Sequence, residues 1–543
     1  MKIRSRFLVL ALSAPVLFAG AALSATSASA APSATTVLAS NVAPGLATVQ
    51  SRGNVADSEQ LSVAVALKLR NTAALHQFLA DVSNPHSSKY GHYLTPAQFL
   101  AQYGPTQASV DAVSNHLASA GLHVTKVSAN RQVVDATGTA AQIRTAFGTT
   151  IGSYYDQNLH RAFYANKTAP SLPTSLASVV QGVAGLDDHY LPHHTVSKPA
   201  DTAGGYGPSD LRGAYDVPSG ADGSGITVAL WEFDAFPAGD ITAYDQQYGL
   251  NSPAPTVVNV DGGQSSPAGG EVEVDLDIET IQAMAPAASQ IVYEAPEPGN
   301  DNNAFQQEEI DEANQIVSDD KASIVSMSWG LCEPQRTASL MQSADNAFAQ
   351  GAAEGIGWFA ASGDDGSADC GSGGDSVDFP ASDPNITGVG GTSLSVNGGS
   401  YGGESAWNGS GGGTSTVFSN PSYQAGVGGK RTVPDVAADA DPNTGVANYS
   451  DGQWGVVGGT SLAAPLWASF AALYDQQAAS AGKPALGPAN TALYQVAAGS
   501  SYGSAFHDVT DGSNGSFSAG TGYDQVTGLG SYDFSNLASA LGA

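Results

Sequence analysis

From residue 226 to residue 477 the chain alternates short apolar runs with helix-length segments, a pattern that confines it to a parallel sheet covered by helices. Ile226-Thr227-Val228-Ala229-Leu230-Trp231 reads as a buried strand, and residues 237–248 as the helix after it. Further strands are predicted over 290–293, 324–327 and 356–361, with helices over 272–284, 305–318, 340–350 and 461–477. In such α/β domains the chemistry gathers beyond the carboxyl ends of the strands. The glycine-heavy stretches 363–374 and 398–413 read as long surface loops over that end.

At 543 residues the chain exceeds one ordinary domain. Residues 1–30 have the form of a secretory signal: Lys2, Arg4 and Arg6, an apolar run from Phe7 to Leu23, then Ala28-Ser29-Ala30. Residues 31–184 read as a compact α+β unit, with a strand over 61–67, helices over 72–82, 107–120 and 140–147, and a hairpin from 123–127 and 132–137. Thr95 before Pro96 marks another helix start. Residues 185–208 are rich in Pro, Gly, Asp and His and read as a linker open to cleavage, which leaves 209–543 as the α/β domain.

Charge separates these parts. From residue 201 onward, 6 Lys and Arg face 42 Asp and Glu, whereas residues 31–200 carry 10 Lys and Arg against 8 acids and nine of the ten histidines. So acidic a domain excludes nucleic acid and anionic membranes as partners and suits work in acid, where its self-repulsion fades. The expected product is secreted, extracellular and monomeric. Acidification would also charge the N-terminal histidines, His189, His193 and His194 in the linker among them, and loosen their unit from its acidic partner. Cys332 and Cys370 are consistent with one disulfide between two loops, in preference to zinc, for which two thiolates are too few.

Gly458-Gly459-Thr460-Ser461 turns directly into the last long helix, which places Ser461 at a positive helix end, where a nucleophilic hydroxyl is supported. Histidine is the usual base for serine, yet only His507 lies in the C-terminal part. The segment Glu271-Val272-Glu273-Val274-Asp275-Leu276-Asp277 offers carboxylates instead, with Glu273 and Asp277 at i and i+4 on one helical face. Asp364, in Ser362-Gly363-Asp364, follows a predicted strand, where a protonated carboxyl can donate to an oxyanion.

In order and spacing these segments resemble the sedolisin family of serine-carboxyl peptidases, and Tyr93-Leu94-Thr95-Pro96-Ala97-Gln98-Phe99 with Tyr103-Gly104-Pro105 resembles a kumamolisin-type activation domain. The resemblance implies a zymogen whose ferredoxin-like propeptide blocks a subtilisin-like catalytic domain, and an endopeptidase or tripeptidyl-peptidase acting on protein or peptide substrates in acid. It makes Ser461 the nucleophile, Glu273 the base and acid, Asp277 its partner and Asp364 the oxyanion donor, with Glu232 and Trp329 extending the network. The stretch Phe506-His507-Asp508-Val509 with Ala519-Gly520-Thr521-Gly522-Tyr523-Asp524 is similar to the family's calcium loop. That similarity implies one Ca2+ held by the side chains of Asp508 and Asp524 and the carbonyls of Val509, Gly520 and Gly522. Two other readings compete: a neutral subtilisin-type protease using His507, and a non-catalytic calcium-stabilised secreted protein.

Overall fold

The alternation of strands and helices resolves into one twisted sheet whose chain order reverses beside its first strand. The computed structural model describes residues 34–194, 204–297, 305–371 and 374–543, so the signal segment 1–30 and residues 195–203 of the linker lie outside the described residues.

The N-terminal unit is built on β1 (Gln60–Leu67), β2 (His123–Val127), β3 (Val133–Thr139) and β4 (Val180–Ala184), antiparallel in the order β2-β3-β1-β4. Its helices are α1 (Thr72–Val82), α2 (Pro96–Gln102), α3 (Gln107–Ser119) and α4 (Ala140–Phe147). Their starts are written locally: Thr95 and Gln98 form a capping box on α2, and Thr139 and Gln142 form one on α4. Each such cap stabilises its helix by about 1 kcal/mol. One face of the sheet buries Val63, Val65 and Leu67 against Val110, Leu117, Ile143 and Phe147. The other face turns Ala64, Val133 and Ala184 into the core of the C-terminal domain.

That domain holds β5 (Thr227–Glu232), β6 (Thr256–Asn259), β7 (Ser289–Glu294), β8 (Ile324–Met327), β9 (Gly357–Ala361), β10 (Thr387–Val396), β11 (Tyr401–Ala406) and β12 (Val436–Asp439). They order as β6-β7-β5-β8-β9-β10-β11, with β12 also on β10, and every pair is parallel except β10 with β11. The order reverses between β5 and β8, the place where an open α/β sheet forms a crevice. Helices α5 (Ala238–Tyr248), α6 (Glu271–Met284), α7 (Phe305–Asp319), α8 (Ala338–Glu354) and α9 (Thr460–Ser480) accompany the sheet. Helix α9 is buried along nearly its whole length and packs on α6.

The N-terminal unit docks on α7 and α8. Ala64, Val133 and Ala184 share a core with Ile310, Ala313, Ala344 and Ala347. A polar row crosses beside them, where Asn130 Nδ2 donates to Asn314 at 2.7 Å and Gln132 Nε2 to Gln350 at 2.6 Å.

Three expectations need correction. Residues 398–413 are not a surface loop, because Tyr401–Ala406 is β11 and Gly413–Ser419 pairs with Lys430–Val433. The glycines hide the strand, and pairing with β10 and burial of Glu404 against Thr392 and Ser531 create it. Residues 363–371 form a loop, but not one that simply lies on the surface, since Ser367 and Asp369 are only 5% and 3% exposed. The front of the linker is likewise built in: Asp187 and His189 are buried, and His189 Nε2 lies 3.0 Å from Asp156. Cys332 and Cys370 are bonded, their Cα atoms 5.5 Å apart.

Candidate active site

Ser461 is fully buried in the first turn of α9, at the bottom of the crevice. Gly459 takes φ 119°, a conformation hard for other residues, and a Cβ on Gly458 would stand 2.5 Å from the Ala440 carbonyl. Both glycines are therefore required to bring the chain into this helix. Pro465 has no N–H for the carbonyl one turn back, that of Ser461, which instead faces the Ser328 hydroxyl at 3.4 Å.

The acidic helix is not a solvated face. Glu273, Asp275, Asp277 and Glu279 are each at most 1% exposed. Its start is fixed by Asp234, which accepts from the amides of Ala268, Gly269 and Gly270. A Cβ on Gly270 would meet the Trp329 ring at 2.8 Å, so glycine there lets the indole close over the helix end.

The expected carboxyl pair stands one turn apart on α6. Burial and the Asp277 charge hold the Glu273 pKa well above the usual range, against the pull of the nearby Ser461 and Ser328 hydroxyls toward its ionised form. Ser328, just beyond β8, directs its hydroxyl at both oxygens of Asp277, at 2.9 and 2.8 Å. Burial raises Asp277 to about 8 against that contact and one from Glu232. Glu232, at the end of β5, is raised further by burial and by Asp277 and Glu273, and accepts from Trp329 Nε1 at 2.9 Å. Carboxyls this close cannot all ionise, so the row Glu273, Asp277, Glu232 shares protons.

Across from the row, Asp364 Oδ1 accepts from the Thr460 amide at 2.8 Å and its hydroxyl at 2.9 Å. Its Oδ2 is buried without a hydrogen-bond partner among the described residues. Burial raises the group to about 7 despite both Thr460 bonds, so below neutrality it carries a proton available for donation.

The N-terminal unit reaches into this crevice. His193–His194 pairs antiparallel with Trp329–Gly330, as an added strand does, so the linker lies beside Ser328. His193 Nε2 stands 3.2 Å from Asp378 Oδ2, with Asp369 close by. Burial pulls the imidazolium down, but the carboxylates, Asp378 foremost, raise it to about 9. Together His193, Asp369 and Asp378 form a possible metal-binding group.

Sequence reasoning brought Ser461, Glu273, Asp277 and Asp364 forward, and the fold gathers them with Glu232 and Trp329. It gave no role to Ser328, Asp369 or Asp378, whose one signal is position after a parallel strand or in the loop behind Asp364. His507 lies elsewhere: its ring stacks on Tyr401, centroids 3.6 Å apart, and Nδ1 meets Ser531 at 3.1 Å. In the C-terminal loop Asp508 accepts from the Gly522 amide at 3.0 Å and Asp524 from the Gly520 amide at 2.9 Å. No hydrogen bond among the described residues uses the carbonyls of Val509, Gly520 or Gly522. Two carboxylates and three open carbonyls in one loop fit a hard cation.

Comparison with known proteins agrees with this geometry. Residues 47–189 match the family model for the pro-kumamolisin activation domain, and residues 262–513 that of the subtilase family. Sedolisin of Pseudomonas sp. (strain 101) is 33% identical over 90% of this chain and 88% of its own. Kumamolisin of Bacillus sp. (strain MN-32) is 31% identical over 88% of this chain and 91% of its own. A solved structure of Pseudomonas sedolisin, complexed with two molecules of pseudo-iodotyrostatin, superposes with a TM-score of 0.56 at 31% identity, covering 62% of this chain and 98% of that one. The chain belongs to the sedolisin family and is a self-processing serine-carboxyl peptidase with its own activation domain.

Proposed function

We propose that the enzyme is a secreted, acid-acting, monomeric endopeptidase or tripeptidyl-peptidase whose nucleophile is Ser461. The signal would be residues 1–30, the propeptide 31–184, the processed linker 185–208 and the catalytic domain 209–543. The observation that carries the reading is the proton-sharing row of buried carboxyls, Glu273, Asp277 and Glu232, with the Ser461 hydroxyl beside Glu273.

In this reading Glu273 takes the Ser461 proton as Oγ attacks the scissile carbonyl, and Asp277, held by Ser328, keeps Glu273 basic enough to accept it. The carbonyl oxygen becomes an oxyanion and receives a hydrogen bond from protonated Asp364 Oδ2. Glu273 then gives its proton to the leaving amine, the C–N bond breaks, and an acyl-serine remains. A water deprotonated by Glu273 releases the acid product and restores the serine. Ca2+, held by Asp508 and Asp524 with the Val509, Gly520 and Gly522 carbonyls, would fix the C-terminal loop beside the sheet. No helix of the described residues is long and apolar enough to cross a membrane, which is compatible with export.

The full-length Ser461→Ala chain should accumulate as an intact, folded precursor with no peptidase activity at acid pH, read by gel and by peptide hydrolysis. Self-maturation of that variant, or turnover by it, overturns the assignment.

A further inference from the structure

The mechanism leaves one cluster unused. Asp369 and Asp378 are 3% and 1% exposed, yet beyond His193, whose Nε2 stands 3.2 Å from Asp378 Oδ2, no permanent hydrogen-bond donor among the described residues reaches Asp369 Oδ2 or Asp378 Oδ1. His193 Nε2 enters the same space beside Asp378 Oδ2, and the ligand atoms of all three side chains lie within 4.8 Å of one another. Buried polar atoms left unpaired at one point are destabilising. Something positive belongs between them.

We propose that His193, Asp369 and Asp378 form a transition-metal site in the precursor, filled by Zn2+, that fastens the linker into the crevice. The ligand set is one imidazole and two carboxylates, which with one water completes the four-coordinate shell zinc adopts. Calcium, which takes six to eight oxygens, is a poorer match for so small a set containing nitrogen. The spacing agrees as well: two ligands about 2.0–2.1 Å from a tetrahedral ion stand about 3.3–3.4 Å apart, and His193 and Asp378 are 3.2 Å apart. Asp369 has only to close from within 4.8 Å.

The site's parts come from both sides of the processing linker. His193 is carried by the strand His193–His194, and Asp378 by Asp378–Phe379, each paired to an edge of Trp329–Cys332. Asp369 is held by the loop that Cys370 anchors. The complete ligand set therefore exists only while the linker is in place, and maturation dismantles it by removing the histidine. The inference rests on the zymogen reading only in that last respect, and metal binding to the intact precursor tests it separately from catalysis.

The test uses full-length Ser461→Ala precursor, saturated with Ca2+ and free of other metals, titrated with zinc chloride at pH 7 against a chromophoric chelator. One equivalent of zinc should bind, and His193→Ala and Asp378→Asn in the same background should each weaken it by at least about 50-fold. Circular dichroism and the metal-free Tm, unchanged in both variants, would show that they remain folded. The wild-type precursor should lose the site when it matures. Absence of stoichiometric binding, or binding that His193→Ala leaves untouched, overturns the proposal; in that case an imidazolium ion pair with Asp378 alone fills the space. Failure there would leave the Ser461 assignment standing, since that variant's lack of processing is read independently.

Discussion

Asp364 divides its labour between two oxygens: Oδ1 is tied to Thr460, and Oδ2 is left for a ligand. With its pKa raised to about 7, the donor form is present below neutrality and lost as pH rises through that value. Asp364→Asn keeps an acceptor for Thr460 and a permanent donor toward the crevice, so it should retain measurable kcat and extend activity above pH 7. Asp364→Ala should lower kcat by about 10²–10³. A pH–rate profile of both variants is the check, and an Asn variant as dead as Ala, or with an unmoved alkaline limb, would remove the donor role. At this scale the sequence was informative wherever residues fall into short patterned motifs, as Ser461, Glu273, Asp277 and Asp364 do. Ser328 follows no such pattern. A serine before tryptophan acquires meaning only when β8 sets it beside Asp277, and Asp378 only when a strand edge carries it to His193.

Helices announced themselves through their caps and periods. Thr95-Pro96 and Thr139 with Gln142 fix α2 and α4 locally, so their starts were readable without tertiary information. The strands Tyr401–Ala406 and Gly413–Ser419 were not, because they are rich in glycine, serine and threonine. Neither was the burial of α6, since four acids in seven residues look solvated until α9 and the strand Val446–Ser450 cover them. The C-terminal loop between Phe506–His507 and Ser531–Tyr532 belongs to this scale too. The Ca2+ site proposed in it predicts that chelation destabilises the loop and what it supports. We expect EDTA to lower Tm of the mature enzyme by about 5 °C or more, with excess Ca2+ restoring it, and Asp508→Ala to reproduce the loss irreversibly. An unchanged Tm in EDTA would exclude the metal from this loop.

Across the whole molecule, buried carboxyls set the response to pH. Burial raises Asp275 and Asp277 to about 8 and Asp364 and Asp475 to about 7 in the folded chain. In the unfolded chain they titrate near about 4. Stability from these groups is therefore full below about pH 4 and is lost as pH climbs toward about 8. Thermal unfolding of the mature enzyme should show Tm falling by several degrees between pH 5 and pH 8, and a flat or rising Tm would contradict this. That acid loosens the N-terminal unit through its histidines stays a proposal, and it turns on where those histidines sit. His189 pairs with Asp156 of its own unit, whereas His193 faces Asp378 and His76 lies near Asp345 of the catalytic domain. At the interface Asp135 is raised to about 7, mainly by burial, with Asp261, Lys126 and Asp311 around it. Docking thus takes up a proton there, and acid does not weaken that contact.

The Cys332–Cys370 bond begins two residues beyond the edge that receives the linker strand and ends next to Asp369. Oxidation state and crevice shape are consequently one property. Material made in a reducing cytosol would lack the brace on that wall and would be recovered misassembled, whereas passage through an oxidising compartment supplies it before the first cut is attempted.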